Sequence, residues 1–144
     1  YTQLPVQSHQ MRDRFFPGTK MVRSLEYVVV KEGRVVTRRT LAAGGEGLAG
    51  DEPWWARFHV LPGGRLLVVY TAADHRAQPP RGVWRLLQVA PEQTETVDVP
   101  VGAGMMPFFT ATERGGTRPS YVMDLFGLGD DGRTLRYARV RLAP

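Results

Sequence analysis

Glycine and proline interrupt this chain along its whole length. Its 144 residues include 16 glycines and 11 prolines, and few stretches long enough for three helical turns contain neither. Because an internal proline removes a helical hydrogen bond and glycine weakens a helix, any helix must be short. Runs rich in Val, Leu, Tyr, Phe and Thr lie between these turn residues and predict β-strands. We therefore expect an all-β chain.

The apolar runs and the turns between them form three groups of predicted strands. The first group is a hairpin with its turn at 31–33, where Gly33 supplies the positive φ of a tight turn. The second group is a four-stranded meander, and the third has three strands. In chain order the predicted strands are 24–30 and 34–41, then 56–60, 65–71, 82–89 and 94–100, and finally 107–113, 120–127 and 133–142.

The second and third groups repeat each other with an offset that relates Phe58 to Phe109 and Gly64 to Gly116. Four strands in a repeat of about fifty residues are typical of a β-propeller blade. We therefore predict a β-propeller-type fold of about two and a half four-stranded antiparallel blades, fewer than the roughly four to eight of a closed ring.

We expect the whole chain to be a single partial propeller domain. Its parts are an irregular first segment at 1–23, a half blade at 24–41, a full blade at 54–100 and a three-stranded closing blade at 106–142. The predicted core residues are Phe58, Val60, Leu67, Val69, Phe109, Val122 and Leu125. Three alternatives stay open: part of a larger propeller whose remaining blades come from the same or another polypeptide, a ring built from copies, or an open β-sandwich.

The charge of the chain favours anionic partners. The formal net charge is +5 and the pI is about 10.1, which suits nucleic acid, acidic polysaccharide or a membrane surface. The dense basic clusters at 34–39 and 136–141 alternate with apolar residues as solvated strand faces do, which argues against nucleic acid.

No apolar run approaches the roughly 20 residues of a membrane span. Since the chain begins without Met, we expect a processed product or a piece of a longer polypeptide.

Cofactor and metal chemistry finds little support in the sequence. The absence of cysteine excludes disulfides and thiolate sites. The three histidines, at positions 9, 59 and 75, lack ligand spacing. The glycine-rich segment 42–50 precedes no helix and lacks the Lys-Ser/Thr ending of a phosphate loop, so it predicts a flexible crossover. We predict no metal and no cofactor.

Five segments carry a resemblance to a known family. In order they are SHQMRDRFFPGTK, SLEYVVVKEGRVV, RFHVLPGGRLLVVY, FFTATERGGTRPSYVMDLFG and LRYARVRL. They resemble the C-terminal half of bacterial BNR-repeat (sialidase-like) β-propeller proteins. The resemblance implies a propeller fold, an extracellular or periplasmic location and a role with carbohydrate. It also implies an Asp-box, Ser-x-Asp-x-Gly-x-Thr-Trp, which LGDDGRTL approaches with Asp130, Gly132 and Thr134 but with Leu128 and Leu135 in place of Ser and Trp.

Propeller sites lie at one mouth of the central channel, where residues from the first strands of successive blades converge. Arg12, Arg57 and Arg114 occupy such positions, and three guanidinium groups would bind a carboxylated sugar, as the arginine trio of sialidase-like proteins does. Surface charge is the alternative interpretation. Trp54 and Trp55 are candidates for stacking on a sugar ring, with Trp54 taken as the substrate ligand; since adjacent tryptophans in a strand point opposite ways, we expect one of the two to be in the core.

His59 as proton acceptor, Tyr70 as proton donor and an arginine that neutralises the uronate carboxylate would suffice for β-elimination of an acidic polysaccharide. The alternative is that both side chains are packed and hydrogen-bonded. The predicted function is therefore binding or processing of anionic carbohydrate as part of a larger chain or assembly, and turnover stays open. A second hypothesis is a noncatalytic structural subunit that contacts protein through the open edge beside residues 134–142.

Overall fold

The structure is a computed structural model that describes residues 1–74, 77, 81–101, 105–111, 118–129 and 131–144, with the side chains of 94 and 105–111 excepted. It is mostly antiparallel β-sheet with one short helix, so the all-β prediction is confirmed. The helix is α1 (His9–Phe15), and the strands are β1 (Thr2–Gln3), β2 (Val22–Lys31), β3 (Arg34–Gly45), β4 (Glu52–Val60), β5 (Leu66–Asp74), β6 (Arg81–Ala90), β7 (Glu92–Asp98), β8 (Met105–Ala111), β9 (Val122–Gly129) and β10 (Leu135–Arg141).

The first segment of the chain is more regular than its sequence predicts. Helix α1 begins after Ser8, whose Oγ accepts a hydrogen bond from the backbone N–H of Met11 at 3.2 Å, as an N-cap does. It ends at Phe15, with Phe16 as its C-cap and Pro17 following. The residues between Ser8 and Pro17 contain neither glycine nor proline, which permits this single helix.

The predicted hairpin is present and longer than predicted. The turn residues Glu32 and Gly33 have φ of 49° and 75°, the left-handed pair that suits the twist of a two-residue hairpin. Lys31 pairs with Arg34 at its end, and the ladder runs back to Val22 and Gly45. Strand β1 adds two residue pairs to β2, so this sheet has the order β1-β2-β3.

The other two sheets have the strand order of the predicted meanders. Strands β4-β5-β6-β7 form one sheet and β10-β9-β8 the other, and the pairs β6·β7, β8·β9 and β9·β10 are antiparallel. No sheet formed by the described residues closes into a barrel or ring. The arrangement as propeller blades therefore stays a prediction.

By its internal contacts the chain divides into two compact units. Unit 1 comprises Tyr1–Trp55 and Ala72–Arg81, and unit 2 comprises Ala56–Thr71 and Gly82–Pro144. In the described part of the chain no helix is both long enough and apolar enough to cross a membrane.

The core of unit 2 is an apolar cluster that joins side chains of β5, β6 and β9. Its buried members are Val69, Trp84, Val99, Met123 and Leu125, with Leu86, Val101, Ala138 and Val140 packed against them. Burial alternates along β9, because successive side chains of a strand point to opposite faces.

The predicted core is right in part. Leu67, Val69 and Leu125 are buried, and Val60 and Val122 are partly buried. The prediction that Phe58 lies in the core is wrong: its side chain is about half exposed, while the adjacent His59 is buried. Neighbouring residues of a strand face opposite sides, so burial of His59 turns Phe58 outward. The side chain of Phe109 lies outside the described residues.

Asp131 holds the hairpin turn between β9 and β10. Its Oδ1 accepts hydrogen bonds at 2.9 Å from the backbone N–H groups of Arg133 and Thr134, and its Oδ2 accepts from the Thr134 hydroxyl. These bonds lower the pKa of Asp131 from 3.8 to about 2, and the bond from the Thr134 hydroxyl contributes most. The turn lies in the segment that approaches an Asp-box, whose Asp130 is outside the described residues.

We predict that the Asp131 carboxyl titrates near pH 2 in the folded protein, measured by NMR of the side-chain carboxyl carbon. Because the folded pKa lies below that of the unfolded chain, this group stabilises the fold above pH 3.8 and loses that effect as the pH falls towards about 2. Thr134→Val removes the hydroxyl bond, which lowers the Asp131 pKa most, and should raise that pKa part of the way. An unchanged Asp131 pKa in Thr134→Val would contradict the assignment.

Candidate functional site

Unit 1 contains a groove of about 390 Å³. It lies between the segment that leads into α1, the start of β2 and the loop that follows β3. Its polar lining residues are Gln7, Ser8, His9, Arg23, Glu46 and Glu52, and its apolar ones are Leu4 and Met21. The groove therefore offers carboxylates, a guanidinium and an imidazole in one concave surface.

Glycines bring the backbone close together on one side of the groove. Gly45 has φ of +125°, and a Cβ there would lie 2.3 Å from the carbonyl oxygen of Met21. A Cβ on Gly44 would lie 2.4 Å from the backbone carbon of Asp51. Any side chain at either position would clash with backbone, which cannot move aside as a flexible side chain can. The segment predicted as a flexible crossover is thus closely packed at its start, and β3 extends into it.

Glu46 joins three parts of unit 1. Its carboxylate accepts a hydrogen bond from the backbone N–H of Met21 at 2.9 Å, and it accepts two from Nη1 of Arg12, at 2.9 and 3.1 Å. The Met21 N–H lowers the pKa of Glu46 most, and Arg12 lowers it further. Glu46 is therefore ionised at neutral pH and ties the loop after β3 to α1 and to the start of β2.

Arg12 is held by contacts within the protein. Besides Glu46, it binds Asp13 through Nε, and its Nη1 donates to the carbonyl oxygen of Thr19 at 3.3 Å. Its Nη2 lies 3.4 Å from Nδ1 of His9. Hydrogen bonding to Glu46 raises the pKa of Arg12. Arg12 was predicted to bind substrate, but the structure places it in an ion-pair network that holds the groove residue Glu46.

Arg23 connects the groove to an exposed aromatic surface. Its guanidinium carbon lies 5.4 Å from the centroid of the Trp54 ring, within the range of a cation–π contact. Its Nε lies 3.6 Å from Oε1 of Glu52, is buried and makes no hydrogen bond with the described residues. Trp54 and Trp55 meet edge to face with centroids 6.2 Å apart.

The two tryptophans are both exposed. Trp54 has 44% of its surface accessible and Trp55 has 52%, so the expectation that one of the two lies in the core is wrong. Burial on β4 falls at Pro53 and His59 instead. An indole face accepts the apolar face of a pyranose ring, and nearby carboxylates and guanidinium groups can hydrogen-bond the ring hydroxyls.

The other predicted site residues lie in unit 2 or outside the described residues. His59 is 2% exposed, and its Nε2 donates to the carbonyl oxygen of Ser120 at 2.8 Å. Its Nδ1 is buried without a hydrogen-bond partner among the described residues. Tyr70 is also buried, and Arg57 is exposed and donates to the carbonyl oxygen of its neighbour Ala56. The catalytic roles of His59 and Tyr70 stay predictions. Arg114 lies outside the described residues.

Local sequence patterns predict Trp54 as a candidate site residue and give no indication of Arg23, Glu46 and Glu52. These three residues come together because β2, the loop after β3 and β4 meet around the groove. Residues so far apart in the chain form no local sequence pattern that would predict this contact. The one usable signal is Glu46 itself, a single carboxylate within a glycine-rich segment. Among the described residues, no group of three or more His, Cys, Asp and Glu side chains could hold a metal ion.

Comparisons of the chain with protein-family models, with curated proteins and with solved structures found no match.

We predict that Arg12→Met raises the pKa of Glu46, but only part of the way to its ordinary value, because the Met21 N–H bond remains. The lowered pKa means that the Glu46 carboxylate stabilises the fold above its unfolded pKa and loses that effect as the pH falls through the folded one. NMR titration of the Glu46 carboxyl measures its pKa in the variant and in the unaltered protein. Arg14→Met, on the same helix, is the control; an equal pKa shift in both variants would refute the contact's role.

We predict that Gly45→Ala costs more folding free energy than Gly33→Ala. Both glycines have positive φ, which costs about 1–2 kcal/mol for a side chain, but only a Cβ at Gly45 meets backbone within 4 Å. We expect Gly33→Ala to cost that amount and Gly45→Ala about 1 kcal/mol or more beyond it. Urea denaturation measures the difference. Equal losses in the two variants would mean that the backbone around the groove is not closely packed.

Proposed function

We propose that this protein binds anionic carbohydrate through the groove of unit 1 and the indole of Trp54, without turning it over. The observation that carries the proposal is the placement of Arg23, which lines the groove and at the same time lies over the Trp54 ring. A sugar stacked on the indole would have its substituents within reach of a guanidinium.

A carboxylated sugar suits this pair better than a neutral one. The planar guanidinium matches a carboxylate with two parallel hydrogen bonds. Within the described residues, Arg23 contacts Glu52, at the long distance of 3.6 Å, and the ring of Trp54. The net charge of +5 further attracts an anionic polymer. Glu46 and Glu52 would accept hydrogen bonds from sugar hydroxyls.

Binding rather than catalysis is proposed because the predicted proton-transfer groups are buried. A general base must come within about 3 Å of the proton that it removes. His59 is almost fully buried and its Nε2 is bound to the Ser120 carbonyl oxygen. The exported location, the larger assembly and the propeller ring that the family resemblance implies are compatible with a glycan-binding role and belong to this proposal as expectations.

We predict that Trp54→Ala weakens binding of an oligouronate at least about tenfold, since loss of about 1.4 kcal/mol of stacking corresponds to that factor. Isothermal titration calorimetry with oligogalacturonate measures the affinity. Arg23→Lys keeps the charge but loses the planar fork, so it should reduce the preference for the oligouronate over its uncharged methyl ester while retaining stacking.

The matched control is Phe15→Ala. Phe15 is an exposed aromatic side chain of unit 1 that also lies beneath an arginine, Arg14, but it does not line the groove. The affinity of the Phe15→Ala variant for the oligouronate should equal that of the unaltered protein. Equal affinities for Trp54→Ala and Phe15→Ala, or no binding across a panel of uronate and sialylated oligosaccharides, would overturn the proposal. Release of unsaturated or reducing ends would restore the catalytic hypothesis.

A further inference from the structure

Strands β7 and β10 are two of the outer strands in the sheets of unit 2. Strand β7 is the last strand of the sheet β4-β5-β6-β7, and β10 is the last strand of the sheet β10-β9-β8. In the described part of the chain, no strand pairs with the outer side of either one. An open edge presents unpaired backbone N–H and C=O groups that can pair with another strand.

The two edges carry opposite charge. Strand β7, EQTETVD, has three acidic residues, Glu92, Glu95 and Asp98, and no basic one. Strand β10, LRYARVR, has three arginines, Arg136, Arg139 and Arg141, and no acidic residue. Both strands are seven residues long. Two copies of β10, or two of β7, would place like charges together, so neither edge suits pairing with itself.

One antiparallel register brings opposite charges together at two positions. Placing Glu95 opposite Arg139 also places Asp98 opposite Arg136, and these pairs fall on opposite faces because they are three residues apart. The same register places Val97 opposite Tyr137. These two side chains are among the exposed large hydrophobic residues of the chain, at 56% and 52%, and each would cover the other.

Internal ion pairs do not block this contact. Arg139 Nε already donates to Oδ1 of Asp124 at 2.9 Å, but the Arg139 side chain is still 58% exposed. Asp98 binds the buried Arg85 and keeps 73% of its side chain exposed. Both groups therefore retain hydrogen-bonding atoms for a second partner.

We propose that copies of this chain associate head to tail, with the β7 edge of one copy paired to the β10 edge of the next. Such a contact uses different surfaces on the two partners, so it extends to a ring when the rotation closes and to a filament when it does not. The partner is a second copy of this chain because the chain itself supplies the two edges that complement each other in charge, length and exposed apolar side chains.

The test is the mass of the particle in solution, measured by sedimentation as a function of protein and salt concentration. The mass should rise from the 16.1 kDa of one chain to at least twice that value with increasing protein, and it should fall back in high salt as charge pairing is screened. Glu95→Lys alone and Arg139→Glu alone should each stay near one chain's mass. An equimolar mixture of the two variants should associate, because each edge then finds an opposite charge.

Arg139→Glu removes the Asp124 contact, so Arg136→Glu, which faces Asp98 in the same register, is a second variant that leaves this contact in place and should behave alike. Arg34→Glu makes the same change of charge on β3, which belongs to a different sheet, and should leave association unaltered. A mass of one chain for the unaltered protein at every concentration would overturn the proposal. So would association that survives Glu95→Lys, or a mixture of variants that stays monomeric while the unaltered protein associates.

Discussion

The packing of alternate strand side chains into one apolar cluster is the interaction on which unit 2 depends. Met123 and Leu125 of β9 join Val69 and Trp84 in this cluster. Their burial turns the intervening Asp124 and Phe126 to the other face, where both contact Tyr137 of β10. A slip of one residue would exchange the two sets and place a carboxylate in the core. The polar and aromatic outer face therefore follows from the core.

Polar contacts hold together the part of unit 1 that surrounds the groove. The Glu46 carboxylate satisfies a backbone N–H of Met21 and a guanidinium of Arg12 together, and the neighbouring glycines let two backbone segments approach where no side chain would fit. Such contacts fix the chain around the groove and leave its surface charged. A groove built in this way can exchange hydrogen bonds with a hydroxylated or carboxylated ligand, whereas an apolar core cannot.

Several features of the fold are predictable from local sequence. Gly33 predicts the hairpin turn, and the alternating apolar runs predict the strand order and the buried positions of Val69 and Leu125. Prediction fails where alternation gives two sets of residues without saying which set faces the core. Phe58 was expected inside and His59 has the buried position, because the Ser120 carbonyl oxygen gives the imidazole a partner there. Trp55 is exposed beside Trp54 for a related reason: β4 buries Pro53 and His59 instead.

The sequence by itself determined the β-rich class of the protein, the turns and the charge of each strand, because these depend on the conformational preferences and chemistry of residues close together in the chain. Only the tertiary structure decided that Arg23, Glu46 and Glu52 share a groove and that β7 and β10 each lie at an outer edge of a sheet. Those facts depend on which distant segments pair and pack, and pairing is settled by burial and backbone hydrogen bonding over the whole unit rather than by any local pattern.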